Sequence, residues 1–367
     1  MARDEPSAGA TKGRVSPWRS GIAIALALGL GAVGGFVFNF VRLPLPWMLG
    51  SMSFVTVGAL LGLRVRMLPI VRSVMITVLG VMLGSAFTPE VIARMGQWVV
   101  TLSALAAWMG VSGLVALAYF RRVAGYDPVT AYFSATPGGL NEMVLIGGAM
   151  GGDDRTISLT HAARIMFVVF TISFWFRYHY GLPSVSPATR VGLFDVSLFD
   201  VAILTLCAIG GALGAQRLRI PAAYMVGPML LSALAHLSGV TASKPPFAVV
   251  AVAQVVIGAA IGVRFVDVPW ARVGRTVGHS LAAAILMVSL TVATGLGLER
   301  VTGIPLPAII LAFSPGGLAE MSLVALALGV DAAFVSTHHI ARIIMVVTLA
   351  PLIFRSTRRN RSRRDDR

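Results

Sequence analysis

Apolar residues along the chain are gathered into long blocks that are separated by short polar segments. Most blocks approach the roughly 20 residues that a helix needs to cross the hydrocarbon core of a bilayer. The blocks cover residues 21–41, 44–62, 73–88, 97–120, 130–150, 156–176, 199–215, 222–240, 248–263, 276–298, 304–328 and 333–354. This pattern predicts an all-α fold, a helix bundle that crosses a membrane many times.

The second half of the chain repeats the first half at an offset of 178 residues. A Pro-Gly-Gly-Leu-x-Glu-Met motif occurs at residues 137–143 and again at 315–321, and a His-x-x-Arg-Ile motif occurs at 161–165 and again at 339–343. A shared apolar composition would match one aliphatic residue with another, but it would not align proline, glutamate, histidine and arginine. The chain is therefore predicted to contain two homologous repeats.

The number of crossings in each repeat decides how the repeats are oriented. If the Pro-Gly-Gly segment enters the membrane and returns, each repeat crosses five times and the second repeat is inverted; if the segment crosses, each repeat crosses six times and the repeats are parallel. With the termini excluded, inversion places 11 basic residues in inside loops and 6 in outside loops, whereas the parallel topology gives 9 and 8. The enrichment of basic residues in cytoplasmic loops favours ten crossings with inverted repeats, and twelve crossings with parallel repeats is the alternative.

Composition and charge agree with a membrane protein. Hydrophobic residues make up 56% of the 367 residues and charged residues 12%, and 11 of the 30 basic residues lie at the two ends. These ends are predicted to be disordered, cytoplasmic tails that contact anionic lipid headgroups, and no nucleic-acid partner is expected. The predicted units are a basic tail at 1–19, repeat 1 at 20–180, a linker at 181–197, repeat 2 at 198–354 and a basic tail at 355–367.

The Pro-Gly-Gly triplets predict a helix break inside an apolar block. Proline lacks an amide hydrogen and glycine tolerates backbone angles that other residues avoid, so a break is tolerated at membrane depth only where it lines a cavity or is covered by protein. The helix that restarts after each break presents free amides and a positive dipole end, which attract an anion. The candidate substrate or ion site is Thr136, Pro137, Gly138, Gly139, Glu142, Ser314, Pro315, Gly316, Gly317 and Glu320.

The two glutamates require partners, because a lone carboxylate at the bilayer centre costs several kcal/mol. Helical spacing places a polar stripe on one face of the following block in each repeat. The stripe consists of Asp153, His161 and Arg164 in repeat 1 and of Asp331, His339 and Arg342 in repeat 2. Two interpretations stay open: a buried Glu–Arg pair that holds the fold, or Glu and His side chains that change protonation during a transport cycle.

The paired motifs and the duplication resemble the AbrB family of bacterial membrane proteins, some of which are labelled ammonia monooxygenases or transcriptional regulators. The resemblance covers residues from about 20 to 354. It implies a fold similar to that of inverted-repeat secondary transporters, with discontinuous helices that meet at mid-membrane. The monooxygenase label does not suit the six scattered histidines, since an oxygenase needs clustered His and carboxylate ligands.

The sequence therefore predicts a secondary transporter in the bacterial inner membrane that moves a small, anionic solute coupled to H⁺ or Na⁺, with both termini in the cytoplasm. The alternative is a membrane regulatory protein that affects gene expression without transport. No enzyme activity, cofactor or metal is expected, because no nucleophile with an adjacent base, metal cluster or nucleotide loop is found. Homo-oligomerisation is left open.

Overall fold

The computed structural model describes residues 17–181, 191–192 and 194–365. Its regular elements are helices throughout those ranges, as predicted. The N-terminal half contains α1 (Pro17–Phe40), α2 (Pro46–Leu60), α3 (Pro69–Gly84), α4 (Pro89–Arg94), α5 (Trp98–Arg122), α6 (Pro128–Ala135), α7 (Leu140–Ala149) and α8 (Asp154–Tyr180). The C-terminal half contains α9 (Leu198–Arg217), α10 (Ala223–Leu237), α11 (Phe247–Gly262), α12 (Trp270–Thr302), α13 (Leu306–Phe313), α14 (Leu318–Leu328) and α15 (Ala332–Asp365).

Seven helices within the described ranges are long and apolar enough to cross a membrane, which confirms the predicted class of membrane protein. They are Ser20–Phe40, Pro89–Arg122, Asp154–Tyr180, Leu198–Arg217, Phe247–Phe265, Trp270–Thr302 and Ala332–Phe354. Helices α2, α3 and α10 are also apolar but contain only 15 or 16 residues.

The terminal and linker predictions have different outcomes. The N-terminal tail and most of the linker lie outside the described residues. The basic C-terminal segment was expected to be a disordered tail, but the helical backbone of α15 continues through it to Asp365. This segment contains no glycine, and the proline of α15, Pro351, precedes it, so nothing in its sequence forces the helix to stop.

Helix bounds in the two halves coincide at nearly constant offsets. Helices α2 and α10 correspond at an offset of 177 residues, whereas α3 and α6 correspond to α11 and α13 at an offset of 178. Rare backbone conformations also correspond, because Arg42 and Arg219 have φ values of 58° and 54°, and Leu45 and Ala222 have φ values of 44° and 54°. Non-glycine residues seldom adopt positive φ, so the halves share unusual local geometry as well as motifs.

Glycine allows the same close helix contact in both halves. Gly34 of α1 lies against the backbone of Gly50 of α2, and Gly211 of α9 lies against the backbone of Gly227 of α10. A β-carbon at any of these four positions would overlap backbone atoms of the facing helix. Small residues are used in this way where membrane helices pack closely.

Contacts between the halves are reciprocal. Helix α3 packs against α10 and helix α11 packs against α2, so that each half supplies one helix to the other. Gly80 of α3 lies against the backbone of Met225, and its counterpart Gly258 of α11 lies against the backbone of Met48. Reciprocal contacts of this kind are expected of two similar units that are related by a two-fold axis.

Helices α6 and α7 form a hairpin rather than one continuous rod. The backbone N–H of Asp153, just after α7, donates to the Thr130 hydroxyl near the start of α6 at 2.8 Å. Gly147 of α7 also lies against Phe133 of α6. The two ends of the segment therefore lie side by side, and the Pro-Gly-Gly break forms the tip. Helices α13 and α14 contact each other and α15, as α6 and α7 contact each other and α8.

We expect Gly227→Ala to lower the free energy of unfolding by about 2 kcal/mol, because the added methyl group forces apart two closely packed backbones. Denaturant titration in mixed micelles would measure the change. Gly214→Ala in α9 is the matched control, since a β-carbon there meets no atom within 4 Å. Equal stability of the two variants would contradict the importance of the glycine contact.

Candidate functional site

The two Pro-Gly-Gly segments end one short helix and start the next. Helices α6 and α7 contain 8 and 10 residues, so each is about 12–15 Å long, which is about half the thickness of a hydrocarbon layer. Gly138 and Gly139 have φ values of 139° and 60°, whereas Gly317 has an extended backbone with φ −80° and ψ 154°. The two breaks match in sequence but differ in conformation.

Arg342 joins α15 to the end of α13. It is 1% exposed, and its guanidinium donates to the carbonyl oxygens of Ser314 at 2.6 Å and Gly316 at 2.7 Å. The last carbonyl groups of any helix lack intrahelical donors and carry the negative end of the dipole. The arginine therefore satisfies carbonyl groups that the break leaves free inside the bundle.

Arg164 has the same role in the N-terminal half. It is 3% exposed, and its guanidinium donates to the carbonyl oxygen of Thr136, just after α6, at 3.1 Å. Both arginines thus lie beside the breaks, and their partners there are backbone carbonyl groups. The Nε atoms of Arg164 and Arg342 are buried without a hydrogen-bond partner in the described part of the chain.

The histidine one turn before each arginine contacts both that arginine and the short helix before the break. His161 Nε2 lies 2.9 Å from the carbonyl oxygen of Phe133, and its Nδ1 lies 2.9 Å from Arg164 Nη2. His339 repeats this arrangement with Leu311 and Arg342 at 2.9 and 2.6 Å. A carbonyl oxygen only accepts and a guanidinium only donates, so each ring carries its proton on Nε2 and is neutral. This geometry does not support the proposed titration of the histidines, because a second proton would face the arginine.

The predicted Glu–Arg pairing is wrong. Among the described residues, no ion pair or hydrogen bond joins Glu142 or Glu320 to Arg164 or Arg342. The terminal nitrogens of the arginines are instead bound to the carbonyl groups and histidines beside the breaks. The sequence motif did not show which acceptors remain free for the arginines.

The two aspartates of the predicted polar stripe lie at helix ends, away from the breaks. Asp153 accepts from the backbone N–H groups of Arg155 and Thr156, and Asp331 accepts from that of Phe334, so both are N-caps. Asp153 also lies 4.0 Å from Arg272. Burial raises the pKa of the Asp153 carboxyl, but hydrogen bonds from Thr156 and the charge of Arg272 together lower it by a larger amount. The net shift of this pKa is downward.

The hydroxyl groups predicted to supplement the anion site have local partners. Thr136 Oγ1 donates to the carbonyl oxygen of Tyr132 at 2.9 Å, and Ser314 Oγ donates to that of Ile310 at 2.6 Å. Both hydroxyls stabilise the end of the preceding helix. Neither residue, nor the proline that follows it, lines the cavity at the breaks.

A cavity of about 310 Å³ lies where the two breaks meet. Gly138 of the first break packs against the Arg342 side chain of the second half, with a β-carbon position 3.5 Å from Nε. The first residues of α7 and α14 line the cavity, so two helix N-termini converge on it. Of the predicted site and stripe residues, the cavity is lined by Gly138, Gly139, Glu142, Arg164, Gly316, Gly317 and Glu320.

Glu142 and Glu320 occupy equivalent positions in unequal environments. Both carboxylates fold back toward the glycine before their helix: a β-carbon on Gly139 would lie 3.3 Å from Glu142 Oε2, and a β-carbon on Gly317 would overlap Glu320 Oε2. Glu320 is 6% exposed, whereas Glu142 is half-buried. The two glutamates are therefore expected to respond differently to a ligand in the cavity.

Arg72 and Arg264 also line the cavity, and the sequence motifs did not identify them. Arg264, just after α11, donates to the Asn141 side chain at 2.7 Å and to the Ser158 hydroxyl at 3.2 Å. At the repeat offset, Arg72 corresponds to Val250 and Arg264 corresponds to Ala86. The signal that could have identified them is an arginine beside an apolar block that aligns with an apolar residue in the other repeat.

The fold and the site define a helical membrane protein in which two broken-helix hairpins meet at one internal cavity. The chain belongs to the AbrB family, as its motifs predicted. The sequence model of this family, which carries the description "Transition state regulatory protein AbrB", matches residues 47–358.

Two similar proteins match nearly the whole chain. The first is the Bacillus subtilis (strain 168) protein named "Uncharacterized protein YhjN", which is 26% identical and aligns with 89% of this chain and 91% of its own length. The second is the Escherichia coli (strain K12) protein named "Putative regulator AbrB", which is 24% identical and aligns with 93% of this chain and 96% of its own length. No solved structure matches the chain significantly.

Proposed function

We propose that this protein is a secondary transporter that moves a small anionic solute across the bacterial inner membrane in a cycle coupled to H⁺ or Na⁺. The observation that carries this proposal is the convergence of two helix breaks and two helix N-termini on one cavity in the core of a membrane protein. Discontinuous helices at the interface of two repeats are the usual site of solute and ion binding in secondary transporters.

The hairpin geometry supports ten crossings with inverted repeats. The bond between Asp153 and Thr130 holds the start of α6 beside the end of α7, which supports a Pro-Gly-Gly segment that enters the membrane and returns without crossing. Each half then crosses five times, by α1, α2, α3, the segment of α4 and α5, and α8 or their counterparts. An odd number of crossings inverts the second half. The bias of basic loop residues supports a topology with both termini in the cytoplasm.

The difference between the two halves supports alternating access. The first break has two glycines at positive φ and a half-buried glutamate, whereas the second has an extended glycine and a buried glutamate. Two copies of one motif that hold different conformations in a single structure indicate that the motif is compatible with both. An exchange of conformations between the halves would open the cavity alternately to the two sides.

The glutamates provide a physical route to ion coupling. The Glu320 carboxylate lies against Gly317 at the positive end of α14, which is where a solute anion would also be stabilised. The carboxylate and the solute therefore compete for one site. A proton or cation that neutralises Glu320 removes the competition, so ion binding and solute binding favour each other.

Blocking the cavity tests the proposal. Leu140→Trp places a large ring at the start of α7, where Leu140 lines the cavity. We expect uptake of small radiolabelled organic anions into proteoliposomes, driven by a pH or Na⁺ gradient, to fall at least about tenfold, because an added ring in a cavity of this size excludes a solute.

Leu145→Trp on the same helix is the matched control, since Leu145 is 74% exposed. Thermal unfolding of both variants in detergent would verify that they remain folded. Uptake that ignores the imposed gradients, or that is equal in the two variants, would contradict the transporter assignment.

A regulatory function is the second candidate, and the word "regulator" in the name of the Escherichia coli relative favours it. In that case the polar groups at the breaks only stabilise the bundle, and the basic end of α15 contacts a cytoplasmic partner. Leu140→Trp would then leave regulation of gene expression unchanged in cells, and reconstituted wild-type protein would show no gradient-driven uptake.

A further inference from the structure

We propose that the cavity at the two breaks binds a small organic carboxylate, and that Arg72 and Arg264 are the residues that recognise its anionic group. This inference rests on the proposed function, since it names the solute class of the same site. It assigns recognition to the two arginines that have no counterpart at the repeat offset.

The repeat-related arginines are already committed to the scaffold. Arg164 and Arg342 donate to backbone carbonyl groups and to the adjacent histidines through their terminal nitrogens. Arg264 donates to side chains rather than to the carbonyl groups that the breaks leave free. Arginines of the repeated motif stabilise both breaks, whereas Arg72 and Arg264 have no counterpart at the repeat offset. The two unmatched arginines are therefore additions to the cavity that the repeated motif does not require.

Arg264 is held in position by neutral groups. Its guanidinium donates to the Asn141 amide oxygen and the Ser158 hydroxyl, which orient the side chain without cancelling its charge. Asn141 follows Leu140 in the first motif, and the second motif has Ala319 at that place. The first hairpin thus contains Asn141, the residue that orients Arg264, and the second hairpin has no equivalent of it. Asn141 and Arg264 both line the cavity.

The charge on the cavity wall fits a monoanion. Three arginines and two glutamates line the cavity, which leaves one net positive charge when both glutamates are ionised. Arg72 and Arg264 carry like charges on one cavity, so they repel each other. Arg164 lines the same cavity, but its terminal nitrogens donate to the first break and to His161. An anion would relieve the repulsion and accept hydrogen bonds from the guanidinium groups of Arg72 and Arg264.

The remaining wall selects an organic anion over an inorganic one. Aliphatic side chains line the cavity beside the arginines, including Ile76, Met225, Ile261 and Ile343. Phosphate or sulfate would leave these groups facing a fully hydrated ion, whereas a carboxylate with a short apolar body would contact both kinds of surface. A volume of about 310 Å³ limits the body to a small metabolite.

Direct binding tests this inference independently of transport. Purified wild-type protein in detergent would be titrated calorimetrically with acetate, butyrate and benzoate, and in parallel with butyramide, phosphate and sulfate. We expect one or more carboxylates to bind and the neutral amide and inorganic anions not to bind. Arg264→Gln should weaken carboxylate binding at least about tenfold, which corresponds to the loss of one charged contact.

Arg300→Gln is the matched control, because Arg300 is an exposed residue at the end of α12 outside the cavity. Arg264→Lys retains the charge and should recover part of the affinity, which a purely structural defect would not do. Binding of phosphate or sulfate without carboxylates, no binding of any probe, or equal affinity in Arg264→Gln and the wild type would each overturn the inference. Carboxylate binding that depends on Arg264 but is not accompanied by uptake would support it and overturn the transporter assignment.

Discussion

Replacing Arg342 by leucine is expected to lower the free energy of unfolding by about 4 kcal/mol, because the change leaves three buried acceptors without a donor. These acceptors are the carbonyl oxygens of Ser314 and Gly316 and the Nδ1 atom of His339. Lipid offers no water to replace the lost donors at this depth. Denaturant titration in mixed micelles measures the loss.

Two further variants make this prediction specific. Arg164→Leu removes donors from two acceptors rather than three and should cost less, whereas Arg300→Leu at an exposed position should have little effect. Burial of a charge is itself costly, so replacing a poorly compensated buried charge by an apolar side chain can stabilise a protein. A variant Arg342→Leu that is as stable as the wild type would show that desolvation outweighs the hydrogen bonds and that Arg342 does not hold the break.

The location of the breaks could be predicted because its causes are local. Proline and two glycines interrupt a helix whatever surrounds them, so residues 137–139 and 315–317 identified both tips before the structure was known. The three-residue spacing of His161 and Arg164 is also a local property, and the structure joins the two side chains. Helical periodicity was therefore sufficient to predict that the histidine and the arginine of each motif lie on the same helix face.

The partners of those arginines could not be predicted, because every residue has a carbonyl group. Whether that of Thr136 or Ser314 is free depends on where α6 and α13 end and on how α8 and α15 pack against them. Charge alone suggested Glu142 and Glu320 as partners. The carboxylates instead turn toward the start of their own helices, where backbone amides are unsatisfied.

The arginines that have a counterpart in the other repeat differ in role from those that have none. Arg164 and Arg342 occur in both halves and stabilise the two breaks, which any molecule with this duplicated fold must close. Arg72 and Arg264 occur in one half each without a counterpart and line the cavity. Neither arginine belongs to a repeated motif, so a search for matching motifs does not select them.

Glu320→Gln is expected to abolish the coupling of solute movement to the ion gradient. In the wild type, carboxylate binding should strengthen as the pH falls, because protonation removes the negative charge that competes for the start of α14. Glutamine is neutral at every pH, so the variant should bind the solute at least as tightly at neutral pH and without pH dependence. A coupling factor of about tenfold or more is the usual size of such linkage.

Uptake into proteoliposomes separates binding from coupling in this variant. With Glu320→Gln, uptake under an imposed pH gradient should fall to the level seen without a gradient, although calorimetric binding persists. Glu142→Gln should retain most of the pH dependence, since Glu142 is half-buried and lies less closely against its glycine, and Glu90→Gln at an exposed position should behave as the wild type. If Glu320→Gln keeps gradient-driven uptake, the coupling ion binds elsewhere; if it loses binding as well, its carboxylate supports the solute site rather than competing for it.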